Sequence, residues 1–265
     1  MARRELNGRV VAITGAAGGL GRALVQAFLE RGARVAALDL DAAGLARLAA
    51  DGVLALPCDI TRSEACRDAV AQVLARFGAL DVLVNNAGIS HRSLLAATDP
   101  AVIRRVMEVN FFGALNATQA ALEALAARRG AVVTVSSVAG FAPLAARAGY
   151  CASKHALHGL FDTLRAELEE RGVHVMLACP GFIATGIERA HLGADGGAAA
   201  GPRTVVGEAL APQEVAARIA RALENGKRLL LVGRVAWQSY WLSRIAPGWY
   251  ARLMARRMRA ELQQR

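Results

Sequence analysis

No uninterrupted apolar run in this 265-residue chain approaches the roughly 20 residues that a membrane-spanning helix needs. The first residues, Met1 to Asn7, lead into an apolar stretch that ends at once in a glycine-rich turn. They lack the long apolar core and small-residue cleavage site of a secretory signal. Cysteine is scarce. Cys58, Cys66, Cys151 and Cys179 are scattered, with no C-x-x-C pair and no histidine at metal-ligand spacing. That pattern argues against a disulfide scaffold or a zinc module and predicts free thiols, no metal site and a reducing, cytoplasmic setting. Lysine is nearly absent too: only Lys154 and Lys227 stand among 30 arginines. No fixed-period repeat appears, and no Pro/Gly linker divides the first 180 residues, so one domain is expected there.

What the chain does contain is apolar matter. Hydrophobic residues make up 54% and charged residues 20%, enough for a large buried core and too much for disorder. The formal net charge of +10 resides almost entirely in the tail, where Asn225–Arg265 carries nine basic residues against Glu261 alone. The body is close to neutral, so nucleic-acid binding across the whole surface is not expected.

Short aliphatic runs alternate with longer amphipathic ones. Strands are predicted at Arg9–Thr14, Arg34–Leu38, Val53–Leu56, Asp81–Val84, Ala131–Ser136, Val173–Ala178 and Arg228–Val232. Helices are predicted near Leu20–Arg31, Ala42–Ala50, Arg62–Phe77, Pro100–Arg128, Ala148–Arg171 and Pro212–Glu224. This alternation predicts an α/β fold: a single doubly wound Rossmann-type domain over residues 1–232, with a seven-stranded parallel sheet flanked by helices. Gly181–Ala211, rich in Ala and Gly, is expected to be a mobile connection near the substrate. Residues 233–265 form a basic, aromatic helical extension.

Thr14-Gly15-Ala16-Ala17-Gly18-Gly19-Leu20-Gly21 follows the first strand and opens the first long helix. Glycines at 15, 19 and 21 allow a tight turn, close backbone approach to a pyrophosphate and close helix–strand packing. The helix start then offers free N–H groups and partial positive charge to an anion. A plain glycine turn would look the same in isolation. Asp39, ending the second strand, is placed to accept bonds from adenosine ribose hydroxyls and to repel a 2′-phosphate, which favours NAD over NADP. Either Asp39 or Asp41 would also serve as the N-cap of the next helix.

Tyr150 and Lys154 lie one helical turn apart on one face. An ammonium beside a phenol favours phenolate, a group able to exchange a proton with an alcohol or carbonyl oxygen. With three tyrosines and two lysines in the chain, chance supplies such a pair only about 0.02 times. Ser137, just past the fifth strand, places a hydroxyl where open α/β sheets bind ligands.

Taken in order, these residues resemble the short, single-domain branch of the short-chain dehydrogenases/reductases. The resemblance spans about Asn7 to Thr185. Thr14–Gly21 resembles the family's T-G-x-x-x-G-x-G turn, with Gly15, Gly19, Leu20 and Gly21 against the cofactor. Asp59, followed by Ile60, resembles the acid that binds the adenine amino group; a helix cap is its alternative. Asn86, Ala87 and Gly88, after Asn85, resemble the N-N-A-G turn beside the adenosine ribose, or a plain turn. Pro180, Gly181, Ile183 and Thr185 resemble the stretch that contacts the nicotinamide carboxamide. Asn110, Ser137, Tyr150 and Lys154 match the catalytic set; Asn110 resembles the asparagine that bends its helix, although it would also pass for an ordinary buried amide. The resemblance implies that Ser137 holds the substrate oxygen and Tyr150 exchanges the proton. Lys154 would bind the nicotinamide ribose and depress the tyrosine, and Asn110 would link Lys154 to solvent through a water. The expected function is hydride transfer between NAD(H) and a hydrophobic secondary alcohol or ketone, in a homodimer or homotetramer. The alternatives are an NADP-dependent carbonyl reductase and a dinucleotide sensor without turnover.

Candidate pocket residues beyond those motifs are Phe141–Leu144, Ser90–Leu95 and the Gly181–Ala211 segment; His91 and His191 could reach substrate, but solvated loop positions are expected for them. In the tail, Trp237, Trp241 and Ile245 share one helical face, and Tyr250, Met254 and Met258 share another. Three roles suit it: closing the substrate pocket, packing on a partner subunit, or peripheral contact with an anionic membrane surface on its cytoplasmic side. Nucleic acid is a minor fourth.

Overall fold

The structure is a computed structural model that describes residues 4–184, 191–199 and 209–257. Its centre is a sheet of seven parallel strands: β1 (Val10–Thr14), β2 (Arg34–Asp39), β3 (Val53–Pro57), β4 (Val82–Asn85), β5 (Ala131–Val135), β6 (His174–Pro180) and β7 (Leu229–Val232). They pair in the order β3-β2-β1-β4-β5-β6-β7. Ile13 on β1 lies opposite both Ala37 on β2 and Val84 on β4. Every residue of β1, β4, β5 and β6 is buried, which is why these strands are mainly apolar and do not alternate apolar with polar residues.

Successive side chains of each strand serve opposite layers. Ile13, Val35, Val133 and Met176 meet α1 (Gly19–Leu29) and α7 (Pro212–Glu224) through Leu24, Phe28, Ile219 and Leu223. Val10, Leu38, Leu83, Val132 and Leu177 meet α3 (Ser63–Phe77), α5 (Gly113–Ala127) and α6 (Ala148–Glu167) through Val73, Leu125 and Phe161. Each fully buried side chain of this size contributes about 1.5–3 kcal/mol. The chain reverses its direction of winding between β1 and β4, and the crevice beyond the carboxyl ends of those strands is where such sheets bind ligands.

Three helices differ from the sequence expectation. The window Pro100–Arg128 is interrupted. After α4 (Pro100–Met107), residues Glu108–Phe112 form a π-helical turn before α5 begins. Periodicity cannot reveal one inserted residue in an otherwise continuous apolar pattern. α2 (Ala42–Ala46) stops four residues early, and α6 ends at Glu167, ahead of Gly172 with its φ of +69°. In the tail, α8 (Arg234–Ile245) and α9 (Pro247–Arg257) pack on each other, and Ala236, Tyr250 and Met254 cluster with Val138 and Ala142. Among the described residues, no helix is long and apolar enough to cross a membrane.

Candidate active site

The glycine turn follows from two backbone contacts that no larger residue permits. Gly15 has φ +65°, and a Cβ there would stand 2.7 Å from the Cα of Ala87. A Cβ on Gly21 would strike the carbonyl oxygen of Gly15 and come within 2.8 Å of the Ala16 Cα. The start of α1 therefore lies directly on the turn, with no side chain capping it. Its leading amides face a cavity of about 610 Å³ lined by Gly15, Gly19, Leu20 and Gly21. An anion would find donors and the positive end of the helix there. Because both colliding partners are backbone, Gly21→Ala is expected to destabilise the fold by roughly 1–3 kcal/mol in urea unfolding. An unchanged midpoint would mean that the turn yields freely.

The neighbouring loop is held by the same turn. Thr14 Oγ1 accepts from the amides of Asn86 and Ala87 at 3.0 and 3.1 Å, and Asn86 Nδ2 donates to the carbonyls of Thr14 and Gly15 at 2.9 and 3.0 Å. Asn86, Ala87 and Gly88 line the cavity. Asp39 and Asp41, interchangeable as caps in sequence, divide their work. Asp41 caps α2 by accepting from the Gly44 amide at 2.8 Å. Asp39 accepts from the Ala17 amide at 2.9 Å and from Asp41 N at 3.0 Å, so its carboxylate is pinned to the glycine turn at the cavity wall. Asp59 is not the cap of α3, whose N-cap is Arg62. Its Oδ1 accepts from the amide and hydroxyl of Thr61, and both Asp59 and Ile60 face the cavity.

Ser137, Tyr150 and Lys154 line the same cavity. Tyr150 and Lys154 come from the first two turns of α6, and Ser137 from the segment just past β5. Ser137 Oγ accepts from the Ala139 amide at 3.2 Å, starting a short 3₁₀ turn. Lys154 is buried. Its Nζ donates to the Val135 carbonyl at 2.9 Å and stands 5.7 Å from the Tyr150 ring centre. Burial pushes this ammonium down to about 8, with the neighbouring Cys179 opposing the shift.

Asn110 projects from the π-helical turn. Its Oδ1 accepts from Ile89 N at 2.8 Å, and its Nδ2 donates to Ile89 O and to Ser153 Oγ, both at 2.9 Å. A Cβ on Gly88 would lie 3.2 Å from Asn110 Oδ1 and 3.6 Å from Lys154 Nζ, so these three residues converge. Asn110 thus ties the loop after β4 to α6. Pro180, Gly181 and Ile183 also line the cavity, with Gly181 N donating to Val232 O at 3.1 Å and Ile183 bridging to Leu210. Thr185 lies outside the described residues, as does much of Gly181–Ala211. The described part, 191–199, is stitched to the loop after β4 through Arg92 N to Leu192 O and Asp99 N to Ala194 O, both 2.8 Å.

Several residues are not where the sequence suggested. His91 is no solvated loop residue. It is fully buried, its Nε2 accepts from Gly149 N at 2.9 Å, and burial followed by the Arg147 charge lowers its basicity. A neutral imidazole therefore anchors the residue preceding Tyr150. His191 is also buried and lines the cavity. Phe141, Ala142 and Pro143 do not line it, although Leu144 does. Pro143 instead accepts the Tyr250 hydroxyl at 3.3 Å, and Val235, Ser239, Tyr250 and Met254 of the tail complete the cavity wall. Buried Arg147 also lines it and was not foreseen, because arginine is too common in this chain to stand out.

Residues 9–193 match the family described as short chain dehydrogenase. The chain belongs to the short-chain dehydrogenase/reductase family. It is 38% identical over 273 aligned residues to dehydrogenase/reductase SDR family member 7B of Bos taurus, covering 98% of this chain and 84% of that one. Among solved structures it resembles a short chain dehydrogenase from Burkholderia cenocepacia in complex with NADP, at TM-score 0.82 and 30% identity, covering 95% of this chain and 99% of that one. It also resembles a 3-ketoacyl-(acyl-carrier-protein) reductase from Brucella melitensis complexed with NADH, at TM-score 0.75 and 25% identity, covering 85% and 96%. As a member of this family the chain is an oxidoreductase.

Proposed function

We propose that this short-chain dehydrogenase/reductase interconverts a hydrophobic secondary alcohol and its ketone, with Tyr150 as the proton-exchanging group and NAD(H) as the preferred dinucleotide. The observation that carries the reading is a single cavity holding the uncapped amides of α1 at one end and the Tyr150 phenol, Lys154 ammonium and Ser137 hydroxyl elsewhere on its wall. A bound nicotinamide dinucleotide supplies the hydride acceptor or donor. The close packing of Gly15 on Ala87 and of Gly21 on Gly15 and Ala16 fixes the turn against the start of α1, whose uncapped leading amides suit a pyrophosphate.

The chain's own residues do the remaining work. Ser137 donates a hydrogen bond to the substrate oxygen and fixes its orientation. Tyr150 gives the proton when a ketone is reduced and takes it when an alcohol is oxidised. Lys154 holds positive charge beside the phenol in a buried setting, where water screens it little. Asn110 positions the loop and α6 and takes the relay role that connects Lys154 to solvent. Leu144, Val138, Phe182 and Met254 make much of the wall apolar, which selects a hydrophobic substrate. A turnover screen of alcohols and ketones of graded size, run with each of the four nicotinamide forms, tests this. Turnover confined to small polar substrates, or none with any dinucleotide, would refute it.

Cofactor choice rests on Asp39, whose pinned carboxylate would stand against a 2′-phosphate. Asp39→Ala is expected to raise the NADP/NAD ratio of kcat/KM by about ten- to a hundredfold, the range for removing one like charge near a partly screened phosphate. An unchanged ratio would remove Asp39 from that role. The competing preference, NADP, draws on Arg22. This residue lines the cavity and donates to the Ala17 carbonyl at 2.9 Å, next to the amide that Asp39 holds.

A further inference from the structure

The helical pair α8–α9 has two faces. One is used: Ala236, Ser239, Tyr250 and Met254 are buried, and three of these line the cavity. The other is exposed among the described residues, with Trp241 resting edge-on against Tyr240 of its own helix at 5.4 Å. Trp237 is 59% exposed, Trp241 45%, Ile245 76% and Trp249 74%, with Leu253 beside them in sequence. Trp237, Trp241 and Ile245 follow at four-residue steps and so form one stripe along α8. These are five of the nine large hydrophobic side chains exposed among the described residues, gathered in seventeen consecutive positions. Such clustering marks an interaction surface, unlike a scattered exposed leucine.

Charge identifies the occupant. Arg234, Arg244, Arg252, Arg256 and Arg257 are all exposed on the same pair of helices, and no acid occurs anywhere from Gly233 to Arg257. A second copy of this chain meeting the face about a two-fold axis would set arginines against arginines in an apolar contact. A nucleic acid would neutralise the arginines but leave three indoles and an isoleucine without apolar cover. A lipid surface with anionic headgroups satisfies both requirements, because indole rings favour the depth of the headgroup–acyl boundary while arginines reach the phosphates.

We propose that the exposed face of α8–α9 docks on an anionic lipid surface. Docking places the helices that wall the substrate cavity at the bilayer, so a hydrophobic substrate has a short route from lipid to pocket. That last consequence, unlike the docking itself, rests on the function proposed above.

The chain carries its own reporter, since all three of its tryptophans are exposed on these two helices. Mixing the full-length protein with phosphatidylcholine vesicles containing phosphatidylglycerol is expected to shift tryptophan emission to shorter wavelength and to float the protein. Pure phosphatidylcholine vesicles should do neither, and added salt should reverse the binding. Trp237→Ser/Trp241→Ser/Ile245→Ser should lower partitioning by at least about tenfold. Arg252→Gln/Arg256→Gln should lower it about fivefold per arginine. Both variants alter exposed positions away from the cavity wall, so their thermal midpoints and turnover in solution should match the parent. Tyr150→Phe should float like the parent, which separates docking from the proposed chemistry. Four results would each overturn the proposal: no flotation with anionic vesicles, equal flotation of the triple variant, a self-association in ultracentrifugation that the triple variant abolishes, or a duplex DNA shift in place of lipid binding.

Discussion

Tyr150→Phe is expected to lower kcat by about two to four orders of magnitude, the range associated with losing one positioned proton-transfer group. The affinity for the dinucleotide should stay within about threefold, since the ring keeps its place in α6 and the lost hydroxyl is a single hydrogen-bonding group. The contrast between the two numbers is the test. A variant that lost folding would lose both, whereas one that merely lost a contact would show the change in KM. The position is also well braced. His91 accepts from the amide of Gly149 just before it, and Ser153 Oγ donates back to the Tyr150 carbonyl at 2.8 Å. Removal of one oxygen should therefore leave the backbone unmoved. Retention of more than about a tenth of the parent rate would contradict the assignment of proton exchange to this phenol.

The second large effect has two opposite signs. Lys154→Met should reduce kcat/KM by about a hundredfold or more, because the charge beside the phenol disappears. It should also change how stability depends on pH. Burial lowers the Lys154 ammonium from 10.5 in an ordinary setting to about 8 in the fold. Between those values the unfolded chain binds more protons than the native one, so the native protein gains stability as pH rises through that window. Below pH 8 both states carry the proton, and the desolvation cost is borne in full. Methionine carries no such cost. Urea unfolding of parent and variant at pH 7 and pH 10 should show the variant's relative stability falling by about 2–3 kcal/mol between the two. A difference that does not move with pH would mean that Lys154 is solvated. The orphaned Val135 carbonyl offsets part of the gain at pH 7, which is why the pH-dependent difference is the cleaner measure.

The unexpected residues share a cause. His91 and Ser153 brace α6 through hydrogen bonds to segments far away in sequence, as in the 58-residue separation of His91 from Gly149 and the 43-residue separation of Asn110 from Ser153. No periodicity or spacing announces such a bond. The same holds for Asp39 and Asp41. Either one suits a helix cap by type and position, and only the placement of the glycine turn beside β2 makes Ala17 N the partner of Asp39. The π-helical turn at Glu108–Phe112 escaped the periodicity for a different reason, and only the resemblance of Asn110 to a helix-bending asparagine pointed to it: one added residue shifts a helical pattern by too little to register against its noise.

What was legible was local. Seven aliphatic runs long enough for buried strands, the helical windows between them and a glycine turn at the first strand-to-helix junction follow from short-range preferences and from the need to cover both faces of a parallel sheet. The four-residue step from Tyr150 to Lys154 is likewise a property of any helix. Tertiary structure alone decided which face of the tail is buried. Tyr250 and Met254 turn inward and Trp237, Trp241 and Ile245 outward. Both sets are apolar with helical spacing, so amphipathicity cannot choose between them. The buried set packs on Val138 and Ala142, on chain about a hundred residues away, and nothing in the tail's own sequence announces that contact.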